Sequence, residues 1–143
     1  MMVWTRRFRG GTMAARNARH AIREVLCDEL TEERLGDVEL IVSELATNSV
    51  RHAGCEDADE LSMEADVQPD RVRVRLSDPG DGFEVHQPDP PSSGSGGGYG
   101  LVLLDRLSDR WGVQRENGFS VWFEVQRDRL PFGDDRGPRA RPA

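Results

Sequence analysis

One segment constrains the fold more than any other: the run from Thr31 to Gly54, which contains no proline and repeats its apolar residues at helical spacing. Leu35, Val38, Ile41, Val42 and Leu45, together with Ser49, fall on a single face of a helix. Thr31 can accept the first free N–H groups, Glu32 and Glu33 suit the positive end of the dipole, and Gly54 stops the run. A helix over residues 31–52 would be about 30 Å long, the width of a small domain, so everything else must be built against it. Gly36 inside it costs ~1 kcal/mol relative to alanine. At about 100° per residue, Glu44, Asn48 and Arg51 form a stripe along the edge of the apolar face, where a ligand can lie.

The remaining segments read as shorter elements. Residues 4–8 resemble a strand, and Thr12 is expected to cap a helix through Leu26, with Ala14, Ala18, Ala21, Ile22, Val25 and Leu26 as its buried stripe. Residues 61–67 and 72–76 alternate as strands around a tight connection at Gln68-Pro69-Asp70. Residues 101–107 form a short helix, and residues 111–115 and 119–126 a closing hairpin turned at Glu116-Asn117-Gly118. Strands joined by hairpins, with helices not alternating between them, imply an α+β sandwich: a mixed or antiparallel sheet with helices on one face. One ATP-binding domain over residues 1–130 is expected. Residues 83–98, rich in Pro, Ser and Gly, read as a lid, and the Pro/Arg-rich residues 131–143 as a disordered tail.

Several function classes are excluded by composition. The chain has 143 residues and a formal charge of −7, which disfavours direct nucleic-acid binding and suits a basic or neutral protein partner. No apolar run nears the ~20 residues of a membrane span, and two cysteines do not make a disulfide framework, so a cytoplasmic setting is expected. There is no lysine: all 19 cations are arginine. A P-loop and a eukaryotic-type protein kinase each need a lysine, so neither can be built here.

Three segments carry chemistry. Glu44-Leu-Ala-Thr-Asn48 places a base one turn from a neutral amide oxygen. Mg²⁺ bound to ATP keeps phosphate and water ligands, so Asn48 alone can complete its shell without adding charge, and Glu44 can take a proton from an attacking hydroxyl. Arg51 can offset phosphate charge. Asp78 in Asp78-Pro-Gly80-Asp-Gly82 only accepts hydrogen bonds, which suits the exocyclic amine of adenine and rejects the guanine carbonyl. Gly98-Tyr99-Gly100-Leu101 opens a helix with uncovered N–H groups, a phosphate cradle that needs no lysine. Singly, these segments also read as a solvated helix edge, a plain turn and a flexible linker. Their order and register together favour an ATP site.

The chain resembles the GHKL, or Bergerat-fold, ATPases, the group that includes DNA gyrase and sensor histidine kinases. Glu44-x-x-x-Asn48 is similar to the N box, Asp78-x-Gly80-x-Gly82 to the G1 box and Gly98-x-Gly100 to the G2 box. Ser43-Glu-Leu-Ala-Thr-Asn48 with His52-Ala-Gly, and Asp109-Arg-Trp-Gly with Val121-Trp-Phe-Glu, resemble the small bacterial anti-sigma-factor serine kinases. That resemblance implies Mg²⁺ on Asn48, Glu44 as the base, Asp78 on adenine, and Gly82, Gly98 and Gly100 around the nucleotide. It also implies Arg51 near phosphate and a hydroxyl at Ser120 beside the adenine.

A complete sensor histidine kinase needs a phosphoacceptor histidine on its own helical hairpin, and a gyrase-type ATPase needs a transducer domain; no segment here reads as either. The reading favoured is a Mg-ATP-dependent kinase that phosphorylates a serine on a small antagonist protein and sequesters a sigma factor. The alternative is an ATP-binding module that captures a partner without phosphotransfer. The resemblance also implies a homodimer.

Overall fold

Alternation decides the sheet. In the computed structural model, residues 2–52, 60–78, 99–114 and 119–127 are described. The elements are β1 (Met2–Arg9), a 3₁₀ turn (Gly11–Met13), α1 (Ala14–Leu26), α2 (Glu32–His52), β2 (Glu60–Val67), β3 (Arg71–Asp78), α3 (Tyr99–Leu107), β4 (Arg110–Gln114) and β5 (Phe119–Gln126). The order across the sheet is β1-β2-β3-β5-β4, and every ladder among the described residues is antiparallel. The fold is therefore α+β, as the segment order implies. The expected lid, the turn at 116–118 and the expected tail at 131–143 lie outside the described residues.

Every second residue of β2, β3 and β5 turns towards the helices. Leu61, Met63, Ala65, Val67, Val72, Val74, Leu76, Val121, Phe123 and Val125 form one core with Ala18, Ile22 and Leu26 of α1, Val38, Ile41, Val42 and Leu45 of α2, and Leu104 of α3. At ~1.5–3 kcal/mol for each large side chain removed from water, this layer dominates stability. The buried face foreseen for α2 is the one observed, down to Ser49 at 1% exposure. Thr31 does cap α2, its Oγ1 accepting the Arg34 N–H at 3.2 Å. Gly36 has open space where a Cβ would stand. Gly36→Ala is accordingly expected to raise stability by about 1 kcal/mol, read as a higher denaturant midpoint with an unchanged m-value.

The start of α1 departs from expectation. Thr12 does not cap it. Gly11, at φ 77°, sends the chain into a 3₁₀ turn that runs straight into the helix, with the Ala14 N–H donating to the Gly11 carbonyl. The residue at the cap position is Met13, and no side chain caps it. The 3₁₀ carbonyls meet the donors that a threonine hydroxyl would have met.

The opposite face of the sheet is polar and ordered by cross-strand pairs. One row reads Val3, Asp66, Arg73, Glu124, Arg110 and the next Thr5, Glu64, Arg75, Trp122, Gly112. Glu124 is only 7% exposed although no helix among the described residues covers this face. It lies within 3.9 Å of Arg73 and 3.8 Å of Arg110. Both guanidiniums lie over Trp122, Arg73 at 4.1 Å from its ring centre. Gly112 makes this packing fit, because a Cβ there would stand 2.8 Å from three atoms of the indole. Gly112→Ala is expected to displace Trp122 and cost about 1–3 kcal/mol, seen as a lower Tm and altered tryptophan fluorescence.

Two arginines bind the layers together. Arg127 donates to the Glu29 carbonyl, the Gln68 carbonyl and the Glu29 carboxylate, each at 3.0 Å, and so ties the end of β5 to the α1–α2 connection and the β2–β3 hairpin. Arg23 on α1 pairs with Glu32 and Glu39 on α2. Its hydrogen bonds hold the exposed Glu32 carboxyl below the ordinary glutamate value. The folded state therefore gains from this pair above the unfolded pKa, and the gain fades as pH falls through the lowered one. Among the described residues, no helix is long and apolar enough to cross a membrane.

Candidate functional site

Two of the proposed site residues, Asn48 of α2 and Asp78 at the C-terminal end of β3, are buried, and α2 packs against β3. Asn48 lies one turn before the end of α2 and is 5% exposed. Its neutral amide, set at the edge of the apolar face of α2, can both donate and accept hydrogen bonds and is a candidate for meeting a ligand. Glu44, a turn earlier, is half-buried. Next to it, Arg19 of α1 donates to the Ser43 Oγ at 2.9 Å, and Thr47 Oγ1 donates to the Ser43 carbonyl at 2.9 Å. These bonds hold the helix around the Glu44–Asn48 pair.

Asp78 is the last residue of β3. The alternation Val72, Val74, Leu76, Asp78 turns it to the helix-facing side, and there it is 6% exposed. Its cross-strand partner is Phe119, also buried. A carboxylate set in an apolar strand end, on the same side as Asn48, presents acceptor atoms at the rim of the core.

Ser120 does not join this group. It pairs with Ser77 and Gln114, one residue out of phase with Asp78 and Phe119, so its side chain leaves the sheet on the opposite face. The hydroxyl expected beside adenine is directed away from Asp78, and Phe119 occupies the cross-strand position instead. The apolar alternation Phe119, Val121, Phe123, Val125 already carries that information. Gly80, Gly82 and Gly98 lie outside the described residues, as do the side chains of Arg51, Tyr99 and Leu101. The backbone places Tyr99 and Gly100 in the first turn of α3, which begins two residues earlier than expected and packs against α2. Arg51 falls in the last turn of α2.

The donor set fits a magnesium–nucleotide. Among the described residues, no group of three or more His, Cys, Asp or Glu side chains could hold a metal. Mg²⁺ bound to a nucleotide keeps phosphate and water ligands, and a neutral amide oxygen such as that of Asn48 is of the type that would complete its shell. A separate cavity of about 120 Å³ lined by Glu64, Asp66, Arg73 and Arg75 is on the other face of the sheet, where its two acids and two arginines offset one another.

A two-layer sandwich with a base and an amide one turn apart on the long helix, and a buried aspartate at the facing strand end, defines a class. The histidine kinase-like ATPase domain family matches residues 11–124, and the chain belongs to that family. It is similar to the serine-protein kinase RsbW of Bacillus subtilis, 37% identical over 102 residues, which is 64% of this chain and 64% of the relative. It is also similar to the serine-protein kinase RsbW of Bacillus licheniformis, 35% identical over 110 residues, covering 68% of this chain and 69% of the relative. The chain thus spans about two-thirds of the length of these kinases. Its fold matches the crystal structure of the RsbU and RsbW domains of a Mycobacterium tuberculosis protein with a TM-score of 0.60 and 17% identity, over 89% of this chain and 32% of that one.

Leu40, one turn before Glu44 and off the buried stripe of α2, is 46% exposed.

Proposed function

We propose that this protein is a Mg-ATP-dependent serine kinase that phosphorylates a small antagonist protein and sequesters a sigma factor. The observation that carries the reading is the half-buried Glu44 one turn from the buried Asn48 on the same edge of α2. In this reading Asn48 holds the magnesium of Mg-ATP, which neutralises charge on the transferring phosphoryl group. Glu44 accepts the proton of the attacking serine hydroxyl. Asp78 selects adenine, and the N–H groups at the start of α3, with Gly98 and Gly100, hold phosphate oxygens. Gly80 and Gly82 leave room for the base, and Arg51 offsets phosphate charge. Catalysis is then positioning and charge stabilisation, with little covalent work for the protein.

The sigma-factor and antagonist roles rest on likeness to anti-sigma-factor serine kinases, and the cytoplasm is where such partners are found. Sigma factor and antagonist compete for the protein, so the antagonist's phosphorylation state sets how much sigma factor is free. A second copy of the chain is assigned to the edge of β1, which has no outer ladder partner among the described residues and where Val3 is 65% and Trp4 36% exposed.

The test is incubation with γ-labelled ATP and the antagonist encoded beside this gene. Label on an antagonist serine is the expected result. ATP binding without any serine phosphate would overturn the kinase reading and leave a partner-capture module.

A further inference from the structure

We propose that the cavity on the polar face of the sheet is a binding site for a small free α-amino acid, on the opposite side of β3 from the candidate nucleotide site. The cavity is lined by Glu64 and Asp66 of β2 and by Arg73 and Arg75 of β3. The register sets Glu64 directly across from Arg75, and Asp66 across from Arg73. Residues two apart on a strand share a face, so one wall is acidic and the other is basic.

Opposite charges set directly across two strands normally stabilise each other. Here the partners are drawn elsewhere. Arg73 lies over the Trp122 ring, 4.1 Å from its centre, and 3.9 Å from Glu124 on β5. Asp66 accepts a hydrogen bond from Gln68 Nε2 at 2.8 Å. The Nε atoms of Arg73 and Arg75 are buried, and neither has a hydrogen-bond partner among the described residues. A charged N–H held out of water without an acceptor carries a desolvation penalty, which an anion on the same wall removes. Both side chains are long enough to swing towards an anion in the cavity, and the swing frees the buried donors.

Walls of opposite sign select the ligand. A lone carboxylate or phosphate is repelled by Glu64 and Asp66, and a lone metal cation by the two arginines. A zwitterion satisfies both walls, its carboxylate meeting the guanidiniums and its ammonium the acids. The strands are ~4.8 Å apart, so the two charged groups must sit close together, as they do on the single α-carbon of an amino acid. The volume of about 120 Å³ sets the size. A cavity of roughly 150 Å³ holds a benzene, and drug-sized ligands need roughly 300 Å³ or more. The fit is therefore to glycine, alanine or serine, and neither an aromatic amino acid nor a nucleotide can enter.

Calorimetric titration of the full chain with glycine, alanine and serine tests the site, with acetate, methylamine and phenylalanine as comparisons. Saturable binding of at least one of the three small amino acids, and of none of the comparisons, is the expected result. Tryptophan emission should change with the same midpoint, because Arg73 lies over Trp122. Arg75→Gln and Glu64→Gln should each weaken binding about tenfold or more, the scale of one lost charge-assisted hydrogen bond. Arg6→Gln, on the helix-facing side of β1, should leave it unchanged. Melting transitions identify any variant that fails to fold, and the cavity variant that does fold then decides. No saturable heat from any of the three at up to about 10 mM would overturn the proposal. Acetate or methylamine binding as tightly as the amino acids would overturn it too, as would full affinity in a folded cavity variant.

Discussion

Asn48→Ala is expected to lower the affinity for ATP in the presence of magnesium by about 100-fold or more, the scale on which metal sites respond to lost ligands or their supports. The fold should survive the change. Alanine is a better helix former than asparagine. Equilibrium binding of a fluorescent ATP analogue, with and without EDTA, checks both parts. Chelation should bring wild type down to the level of the variant and leave the variant where it was. A variant that keeps magnesium-dependent affinity would show that another residue holds the metal.

Glu44→Gln is the second large effect. Glutamine keeps the size of the side chain but replaces one acceptor oxygen with a donor NH₂ and cannot accept the serine proton. Phosphorylation of the antagonist should fall by about 10²–10⁴, the usual share of a positioned general base, with ATP affinity retained. The consequence for regulation is asymmetric. The variant should still capture the sigma factor and still bind unmodified antagonist, but it should not complete the phosphorylation that resets the partner exchange. Single-turnover transfer and sigma-factor capture, measured on the same preparation, check this. Full transfer by the variant would remove Glu44 from the chemistry.

Much of the architecture is legible in the residues because it depends on periodicity. Leu35, Val38, Ile41, Val42, Leu45 and Ser49 are spaced for one buried face, and that face is observed. Thr31 directly precedes the first helical residues, and its hydroxyl accepts the Arg34 N–H and takes the cap. Thr12 has the same residue type and fails, because Gly11 leads into a 3₁₀ turn whose carbonyls meet those donors. A cap is thus decided by the backbone before it, which residue type alone does not convey.

The site was legible where a residue's face follows from its own element. Glu44 and Asn48 fall on one edge of α2 by helical spacing, and Asp78 continues the buried alternation of β3. Likeness to relatives implies Ser120 beside the adenine, but the alternation of its own strand, one residue out of phase with Phe119, puts it through the sheet. Glu124 was missed for a different reason. Its burial arises from Arg73, Arg110 and Trp122 on three strands, a combination that only the register assembles.

The central claim is that α2, the end of β3 and the start of α3 grip one magnesium-bound adenine nucleotide. Isothermal titration of the full chain with Mg-ATP, and with Mg-GTP as comparison, tests it most directly. Saturable heat with ATP, lost on chelation and absent with GTP, is the predicted result. A flat ATP titration from protein whose circular dichroism and melting transition are native would contradict it.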